Sequence, residues 1–490
     1  MNKRLVLALL IGSFFVYSFA LEVMLLHTND HHGSLYRYWY ELQEVAGLAE
    51  RAHIIRQITE GEENYLLLDA GDMNTGVYES LIFEAEPDIL AYNLIEYNAM
   101  TLGNHEFYGD LERIQRQIEW AEFHMLSANV FTLEGELVGE PYIMFTMPNG
   151  LIVAVLGLTT THKELSSDFV VKCDVEIAKE IVPQLREKAD IVIALTHLGI
   201  YDFGVEELYG SIRLASNVPG IDLIIDGDSH TLLEEPAFVN GIPIVQVGER
   251  GRHLGKAVLN FDPETKAVSL KSWEAIPLMR SWDHPAFEIS YDVLDVVDFF
   301  RLKAIETGNE LIGYSDRDFR QIQIRSRITA LGRIIGEAML HAAKEYDAVV
   351  GIFNSGGIRA DLLRGEIRLS DIHNILPFED EVVVLELPGT VLLEIIRTAF
   401  LEKIETGAFL QYSNNVGIIQ RPVNQVIPNL NGVELQADMT YRIATNTFLA
   451  EGGDGYDLFE MASNKINAGI STRDALIEYI KNSPFFRLEE

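Results

Sequence analysis

Five short segments of the sequence combine carboxylate, amide and imidazole side chains in a way that predicts a metal site. Each segment follows an apolar run typical of a buried strand and is flanked by glycine. Carboxylate oxygens and imidazole nitrogens suit divalent ions such as Mn²⁺, Zn²⁺, Fe²⁺ and Co²⁺. The segments are Asp30-His31-His32, Asp69-Ala70-Gly71-Asp72, Gly103-Asn104-His105-Glu106, Thr196-His197-Leu198-Gly199 and Asp226-Gly227-Asp228-Ser229-His230.

The recurrence of this pattern, and not any single segment, carries the prediction. One such segment alone is typical of solvated loop residues. Side chains at the carboxyl ends of parallel strands meet at one edge of a sheet, and several carboxylates gathered there repel one another unless cations neutralise them. We therefore expect two divalent ions. A thiolate site is excluded because Cys173 is the only cysteine, and this also excludes an internal disulfide.

Strand-like and helical patterns alternate along the first half of the chain, which predicts a layered α/β fold that positions these segments. The predicted strands are Val23–Leu26, Tyr65–Leu68, Leu151–Leu158, Asp190–Leu195, Asp222–Ile225 and Ile242–Val247, followed by an antiparallel pair, Ala257–Phe261 and Val268–Ile276. The predicted helices are Val45–Thr59, Leu111–Trp120 and Glu176–Lys188.

The length of 490 residues predicts two domains. We expect the first domain at residues 21–282 and a linker at 283–309, which contains a helix at Tyr291–Thr307. A second α/β domain is expected at 310–490, with a helix at Thr329–Lys344 and a strand at Ala348–Phe353.

The first twenty residues are typical of an export signal. Lys3 and Arg4 precede an almost wholly apolar segment, and Ser18 and Ala20 are small residues suited to a cleavage site. This predicts cleavage after Ala20 and export to the periplasm, cell envelope or exterior of a bacterium, without membrane attachment afterwards. An uncleaved anchor is the alternative. The net charge of −36 repels a phosphate backbone, so a nucleic-acid polymer is not an expected partner.

The motifs D-x-H, G-D, G-N-H-E, T-H-x-G and G-x-S-H resemble those of the calcineurin-like metallophosphoesterases. With the second domain, the chain resembles the secreted 5′-nucleotidase/UDP-sugar hydrolase family from Leu21 to about Glu460. The resemblance implies a layered α-β-β-α phosphoesterase domain and a C-terminal substrate-binding domain. It implies that Asp30, His32 and His230 hold one ion, that Asn104, His197 and Asp228 hold the other, and that Asp72 bridges both.

The resemblance also implies an activity. A secreted enzyme of this family would use two metal ions to remove the 5′-phosphate from nucleoside monophosphates and from related nucleotides. His105 would stabilise charge on the phosphoryl oxygens or on the leaving group. Two alternatives are a phosphoesterase for cyclic nucleotides, nucleotide sugars or other phosphate esters, and a nucleotide-binding protein of weak activity.

Two positions in or beside the metal-binding motifs depart from the family pattern. Asp228 stands where the family usually has histidine, and a third carboxylate leaves less positive charge on the ions, which predicts a preference for Mn²⁺ or Mg²⁺ over Zn²⁺, with Mn²⁺ favoured. Tyr108 stands where the family commonly has an aspartate that orients the histidine. Asp110, two residues further on, is the candidate for that catalytic role, and the alternative is that His105 is held less well.

The second domain carries motifs that resemble the family's substrate-binding domain. Asn354, Gly357 and Arg359 lie in a glycine-rich loop after a predicted strand, and an arginine offers a planar fork for phosphate or carboxylate. A tight turn with a surface arginine is the alternative for this loop. The resemblance implies that Phe378 and Tyr456 clamp the base, since stacking suits any base. Core packing is the alternative for Phe378.

Overall fold

The computed structural model of the chain describes residues 20–40, 43–74, 76–163, 165–201, 210–281, 283–306, 310–378, 380–421, 425–483 and 486. Residues 1–19 of the predicted signal, residue 282 at the predicted domain boundary and residues 307–309 of the predicted linker lie outside this part. The chain divides into two compact units. Unit 1 contains the described residues of Met1–His31, His53–Asp72 and Ile95–Met279, and unit 2 those of His32–Ala52, Met73–Leu94 and Arg280–Glu490.

Two six-stranded sheets form the frame of unit 1. In the first sheet, Leu21–Thr28 pairs in parallel with Tyr65–Asp69, and in the second, Ile191–His197 lies between two parallel neighbours. The strand order of the first sheet is Val268–Pro277, His253–Phe261, Leu21–Thr28, Tyr65–Asp69, Ala99–Thr101 and His124–Leu126. The order of the second is Ala237–Val239, Ile242–Val245, Leu223–Ile225, Ile191–His197, Ile152–Thr159 and Tyr142–Thr146.

The core of unit 1 lies between these sheets. Leu25 of the first sheet and Ile193 of the second belong to one buried apolar cluster, so the two sheets pack face to face. Alternate residues of the second sheet point the other way and are covered by Ala178 and Leu214 of two helices. The remaining elements of unit 1 are helices Leu111–Trp120, Asp174–Arg186 and Ser211–Asn217, and strands Val130–Thr132 and Phe169–Val171. This layered arrangement confirms the predicted α/β class.

A five-stranded sheet forms the centre of unit 2. Its order is Leu410–Tyr412, Val350–Asn354, Thr440–Asn446, Glu381–Pro388 and Asn464–Ser471. One face packs against helices Ala330–Ala342 and Thr472–Asn482, which contribute Leu331 and Leu476 to one cluster, and the other face packs against Leu392 of helix Gly389–Leu401. Alternation of buried side chains along each strand lets a single sheet form both clusters.

The other elements of unit 2 are shorter. Its further strands are Tyr38–Tyr40, Gln43–Val45, Leu311–Ser315, Gly365–Arg368, Val416–Arg421, Gln425–Leu430 and Val433–Glu434. Its further helices are Tyr78–Ile82, Tyr291–Glu306, Leu369–Ile375 and Thr447–Ala450, while helices Leu48–Thr59 and Glu86–Ile95 and strand Met279–Ser281 contain residues of both units. No helix in the described part of the chain is both long and apolar enough for a membrane crossing.

One predicted helix begins later than the sequence pattern indicates. Val45 ends a strand, and the helix predicted at Val45–Thr59 begins at Leu48. The physical reason is local: the backbone N–H of Gly47 donates to the Glu50 carboxylate at 3.0 Å, which satisfies one of the unpaired donors at a helix start.

Candidate metal centre

Strand ends from both sheets of unit 1 bring predicted metal ligands together from distant parts of the chain. Asp30 follows the strand Leu21–Thr28, Asp72 follows Tyr65–Asp69, and His197 is the last residue of Ile191–His197. Each of the three residues offers a ligand atom, and these atoms all lie within 4.8 Å of one another. All three side chains are buried. The carboxyl ends of parallel strands therefore supply these ligands, as expected for sites in α/β sheets.

The ring of His197 faces three carboxylates. Its Nε2 atom lies 3.1 Å from Oδ2 of Asp72, 3.8 Å from Oδ1 of Asp228 and 4.0 Å from Oδ1 of Asp30. Its Nδ1 atom lies 2.7 Å from the carbonyl oxygen of Ala70 and donates to it, which holds the ring with Nε2 toward the carboxylates. Burial opposes a charge on this ring, but Asp72 and the other two carboxylates outweigh burial, so the pKa of His197 is raised well above its ordinary value.

His230 is held in the same manner from the other side of the cluster. Its Nε2 atom lies 3.2 Å from Oδ1 of Asp30, and its Nδ1 atom lies 2.9 Å from Oε2 of Glu249. Glu249 is buried and is itself paired with Arg252 at 3.0 Å. Burial opposes the charged ring, but Glu249 and Asp30 outweigh it and raise the pKa of His230 to about 9. A carboxylate behind a metal-binding histidine is a common device for fixing the tautomer and the ring orientation.

The backbone of the cluster is strained at the residues that carry the side chains. The φ angles of Asp30, Asp72, Asp228 and His230 are 50°, 57°, 75° and 55°, in the left-handed region that residues other than glycine rarely adopt. Strain of this kind persists where the surrounding structure enforces it, and it concentrates at functional sites. A Cβ atom at Gly103 would lie 2.2 Å from Oδ1 of Asp72, so only glycine fits there.

The Gly103–Glu106 segment holds Asp72 through backbone groups. The carboxylate of Glu106 accepts from the N–H of Asp72 at 3.0 Å and from the N–H of Gly103 at 2.7 Å. The N–H of His105 in turn donates to Oδ1 of Asp72 at 2.9 Å. This network fixes the position of Asp72 relative to the following 3₁₀ turn, His105–Tyr108. Glu106 was not among the predicted site residues, although it lies inside a predicted motif.

Asn104 and His105 both contact Tyr108. The side-chain amide of Asn104 donates to the Tyr108 hydroxyl at 2.7 Å, and the ring of His105 lies with its centroid 4.5 Å from that of Tyr108. His105 Nε2 lies 3.7 Å from Oδ2 of Asp72. Asp110 is exposed, and its carboxylate accepts from the N–H of Arg113 at 2.8 Å, so it caps the helix Leu111–Trp120. The orienting role of Asp110 stays a prediction; Asp110→Asn tests it cleanly because asparagine caps a helix as well as aspartate does.

Asp228 and His32 complete the set of predicted ligands. The N–H of Asp228 lies 3.2 Å from both carboxylate oxygens of Asp30. Burial alone would raise the pKa of Asp228, but the neighbouring cationic and imidazole groups, Lys163 foremost, hold it below the ordinary value. His32 belongs to unit 2, where its Nδ1 atom lies 3.0 Å from the carbonyl oxygen of Asn74, and its φ of 47° continues the strained run of this segment.

The donor set of unit 1 fits divalent cations. Oxygen and nitrogen ligand atoms converge, and the raised pKa values of His197 and His230 show that the surrounding carboxylates stabilise positive charge at this place. A second observation supports the fit. Oδ1 of Asn104 is buried and accepts no hydrogen bond from any described residue, which is the condition expected of an oxygen reserved for a metal.

The predicted substrate-binding residues all lie in unit 2. Asn354 is the last residue of a strand, and its amide donates to Asp454 at 2.9 Å. The guanidinium carbon of Arg359 lies 5.2 Å from the centroid of the partly exposed Phe378 ring, as in a cation–π pair. Gly357 is required by packing, since a Cβ atom there would lie 2.6 Å from the Phe353 ring.

Tyr456 lies in the core of unit 2. Its side chain is only 2% exposed, it packs among the apolar cluster with Phe459, and its hydroxyl donates to the carbonyl oxygen of Ala408 at 2.9 Å. A ring packed in this way presents no open face to a base, so stacking on Tyr456 requires a different rotamer from the one in the structure. Phe378 is the better placed of the two predicted clamp residues.

Three site residues besides Glu106 escaped the sequence analysis. Glu249 supports His230, and His162 and Tyr201 contact Asp228. A signal existed for Glu249, because Gly248-Glu249 follows a predicted strand as the other segments do. A signal also existed for His162, which follows the predicted strand Leu151–Leu158.

The two-sheet frame and its strand-end cluster define a calcineurin-like phosphoesterase. The family model described as calcineurin-like phosphoesterase matches residues 23–232, and the model described as 5′-nucleotidase, C-terminal domain, matches residues 309–461. The chain belongs to the 5′-nucleotidase family. It is a metal-dependent phosphomonoester hydrolase, and its two domains are those of a nucleotide phosphohydrolase.

Similar proteins support this assignment over nearly the whole length. The 5′-nucleotidase of Vibrio cholerae serotype O1 is 32% identical across 94% of this chain and 91% of its own length. The protein UshA of Escherichia coli K12 is 30% identical across 94% and 91%. Among solved structures, a 5′-nucleotidase precursor from Thermus thermophilus superposes with a TM-score of 0.75 at 25% identity, over 94% of this chain and 96% of that one. The predicted family is thereby confirmed.

Proposed function

We propose that this enzyme removes the 5′-phosphate from nucleoside monophosphates with the help of two divalent metal ions. The observation that carries the proposal is the convergence of Asp30, Asp72 and His197, whose ligand atoms lie within 4.8 Å of one another in a chain of this family. A centre of this kind serves phosphate ester hydrolysis, because the charge that develops on the phosphoryl oxygens needs fixed positive partners.

The ligands divide into two groups that share Asp72. Asp30 and His230 face each other at 3.2 Å and, with His32 two residues beyond Asp30 in the D-x-H motif, would hold one ion. His197, Asp228 and Asn104 would hold the other. For Asn104 the support is its buried Oδ1, to which no described residue donates a hydrogen bond. The carboxylate of Asp72 would bridge both ions.

The protein's own residues would orient the reaction. Divalent ions bound here would supply the positive charge that activates water and stabilises a phosphoryl group. Ala70 and Glu249 hold the rings of His197 and His230 in place, which prevents reorganisation during the reaction. His105 lies beside Asp72 and would donate a hydrogen bond from its ring to a phosphoryl oxygen or to the leaving group.

We assign recognition of the nucleotide to unit 2. Arg359 and Phe378 form a cationic and aromatic pair, and Asn354 and Gly357 precede Arg359 at the end of a strand and in the following 3₁₀ turn. Phe378 would stack on the base, while Tyr456 would join it only after leaving the core. Mn²⁺ is the favoured metal, since Asp228 adds a carboxylate to the site. Export to a bacterial envelope or exterior is supported by a similar protein that is described as a precursor.

One assay tests this function. Metal-stripped protein would be reconstituted with Mn²⁺ and given AMP, UDP-glucose, a cyclic nucleotide and p-nitrophenyl phosphate, with and without EDTA, while bound metal is counted by mass spectrometry. We expect two ions for each chain and EDTA-sensitive release of phosphate from AMP.

Three other outcomes would each contradict one part of the proposed function. Turnover of the generic ester without AMP would overturn the nucleotide assignment. Tight nucleotide binding without turnover would overturn the catalytic assignment. A single bound ion would overturn the dinuclear centre.

A further inference from the structure

Three adjacent parallel strands of unit 1 bring a second set of polar residues to the outer side of Asp228. His162 follows the strand Ile152–Thr159, Tyr201 follows Ile191–His197, and Asp228 follows Leu223–Ile225. These strands are neighbours in the second sheet. Their carboxyl ends therefore deliver an imidazole, a phenol and a carboxylate to one place.

The two oxygens of Asp228 have different surroundings. Oδ2 accepts a hydrogen bond from the Tyr201 hydroxyl and lies 3.2 Å from Nε2 of His162. Oδ1 faces the metal cluster, where Nε2 of His197 lies 3.8 Å away. The carboxylate of Asp228 is nearly fully buried, with 2% of its side chain exposed, so these contacts decide which oxygen is available to a cation.

The donors on Oδ2 are themselves fixed. Oγ1 of Thr160 lies 2.5 Å from Nδ1 of His162, and Nε2 of His162 also lies 3.0 Å from the Tyr201 hydroxyl. A carboxylate only accepts hydrogen bonds, so Nε2 of His162 is the donor toward Asp228, while Thr160 contacts the other nitrogen of the ring. The His162 and Tyr201 rings meet edge to face, with centroids 5.0 Å apart at 84°.

A cation balances the carboxylate on its other side. The ammonium of Lys163 lies 3.9 Å from Oδ1 of Asp228, next in the chain to His162. Asp228 therefore combines a hydrogen-bonded oxygen with a partly neutralised charge. The first property leaves Oδ1 as the available donor atom, and the second offsets only part of the negative charge that a third carboxylate adds.

We propose that Thr160, His162 and Tyr201 are positioning residues that restrict Asp228 to binding its metal ion through Oδ1 alone, and that Lys163 balances its charge. The proposal rests on the proposed dinuclear function and deepens it. Partners of this kind, one step behind a ligand, typically change metal affinity by about 10- to 100-fold when they are lost.

The test measures metal binding to the full chain. Metal-stripped wild type, Tyr201→Phe, His162→Gln and Lys163→Met would be titrated with MnCl₂ by calorimetry, with circular dichroism in EDTA as the folding check. Tyr201→Phe and His162→Gln are each expected to lower the Mn²⁺ affinity of the site that contains Asp228 about 10- to 100-fold. Lys163→Met is expected to tighten it by up to about fivefold, because a repelling charge is removed from a partly exposed site. Tyr142→Phe, in the same sheet, serves as the matched control and is expected to bind as wild type does.

A double variant separates positioning from general damage. In an Asp228→Asn background, Tyr201→Phe is expected to have less than a twofold effect, because the group through which it acts has changed. A Tyr201→Phe variant that binds two ions as wild type does would overturn only the positioning of Asp228 by Tyr201, as would an effect that persists in the Asp228→Asn background. Weaker binding by Lys163→Met would overturn the charge balance. Wild-type protein that binds fewer than two ions would overturn both the positioning of Asp228 and the proposed function.

Discussion

The Nδ1 atom of His230 lies 2.9 Å from Oε2 of Glu249, while the Nε2 atom of the same ring faces Asp30 at 3.2 Å. A buried carboxylate thus holds the ring from behind and keeps its other nitrogen directed into the cluster. The pair lies on separate loops of unit 1, and Arg252 holds Glu249 in turn.

The first prediction concerns Glu249. Glu249→Gln keeps the shape of the side chain but removes its charge, so His230 loses the ion pair that stabilises its orientation and raises its pKa. We expect Mn²⁺ affinity at that site to fall about 10- to 100-fold, measured by calorimetry on the metal-stripped protein. Glu22→Gln, which removes an exposed pair with Lys271, is the control. Unchanged affinity in Glu249→Gln would show that His230 needs no support.

The second prediction concerns pH. In the metal-free protein the pKa of His230 is raised to about 9 because Glu249 and Asp30 outweigh burial, so a metal ion must displace a proton at neutral pH. We expect the affinity for Mn²⁺ to rise as the pH rises toward 9, by up to about tenfold per pH unit for the release of this one proton. Calorimetry in buffers of different ionisation enthalpy would count the released protons. His230→Gln should reduce that count by one, and an unchanged count would contradict the assignment.

The same shift affects folding with the opposite sign. A histidine whose folded pKa lies above its unfolded value stabilises the metal-free fold fully at pH below about 6.5, and this contribution is lost as the pH rises through 9. The free energy of unfolding measured in EDTA should therefore decrease over the pH range in which metal affinity rises.

The third prediction concerns His105. The N–H of this residue holds Asp72, and alanine retains that group, so His105→Ala removes the ring alone. We expect kcat on AMP to fall about 10²- to 10⁴-fold, with the metal content unchanged. His124→Ala, which removes a surface imidazole paired with Glu140, is the control. A loss of bound metal in His105→Ala would assign the ring to the metal site instead.

The fourth prediction concerns the choice of metal. Asp228→Asn removes one negative charge without changing the shape of the side chain, so softer ions should gain relative to hard ones. We expect the ratio of Zn²⁺ to Mn²⁺ affinity to rise at least about tenfold, measured by competition with a fluorescent chelator. Wild-type activity that is highest with Zn²⁺ and poor with Mn²⁺ would contradict the reasoning.

The fifth prediction concerns His27, which lies outside the proposed machinery. Its ring is fully buried and stacks on Trp273 with centroids 5.4 Å apart, and neither ring nitrogen has a hydrogen-bond partner among the described residues. Burial lowers its pKa to about 3. We expect His27→Phe to raise the free energy of unfolding by about 1–3 kcal/mol at neutral pH, because two orphaned polar atoms are removed.

The pH dependence gives a second readout for His27. The folded pKa lies below the unfolded value of 6.5, so the unfolded chain takes up the proton first and wild-type stability falls between pH 6.5 and 3. His27→Phe should flatten part of that fall in urea denaturation carried out in EDTA. An equal slope in both proteins would show that this ring makes hydrogen bonds in solution.

The sequence by itself determined the layered α/β class and the places where ligands gather. Strand periodicity and the rule that sites form at the carboxyl ends of parallel strands are local properties, so Asp30, Asp72 and His197 could each be expected at a strand end, whereas the meeting of strand ends from two sheets depends on how the sheets pack. Both ends of the helix Leu111–Trp120 were predicted correctly, because its N-terminal cap and its apolar face depend only on residues that are close together in the sequence.

Only the tertiary structure decided how those ligands are supported. Glu249, His162 and Tyr201 gain their meaning from rings and carboxylates on other strands, and such pairings have no pattern along the chain. The same holds for Tyr456, whose aromatic ring suits either a core or a binding face and whose place depends on the cluster around it. Periodicity fixes which way a side chain points, whereas the distance to its partner depends on how sheets and loops pack against one another.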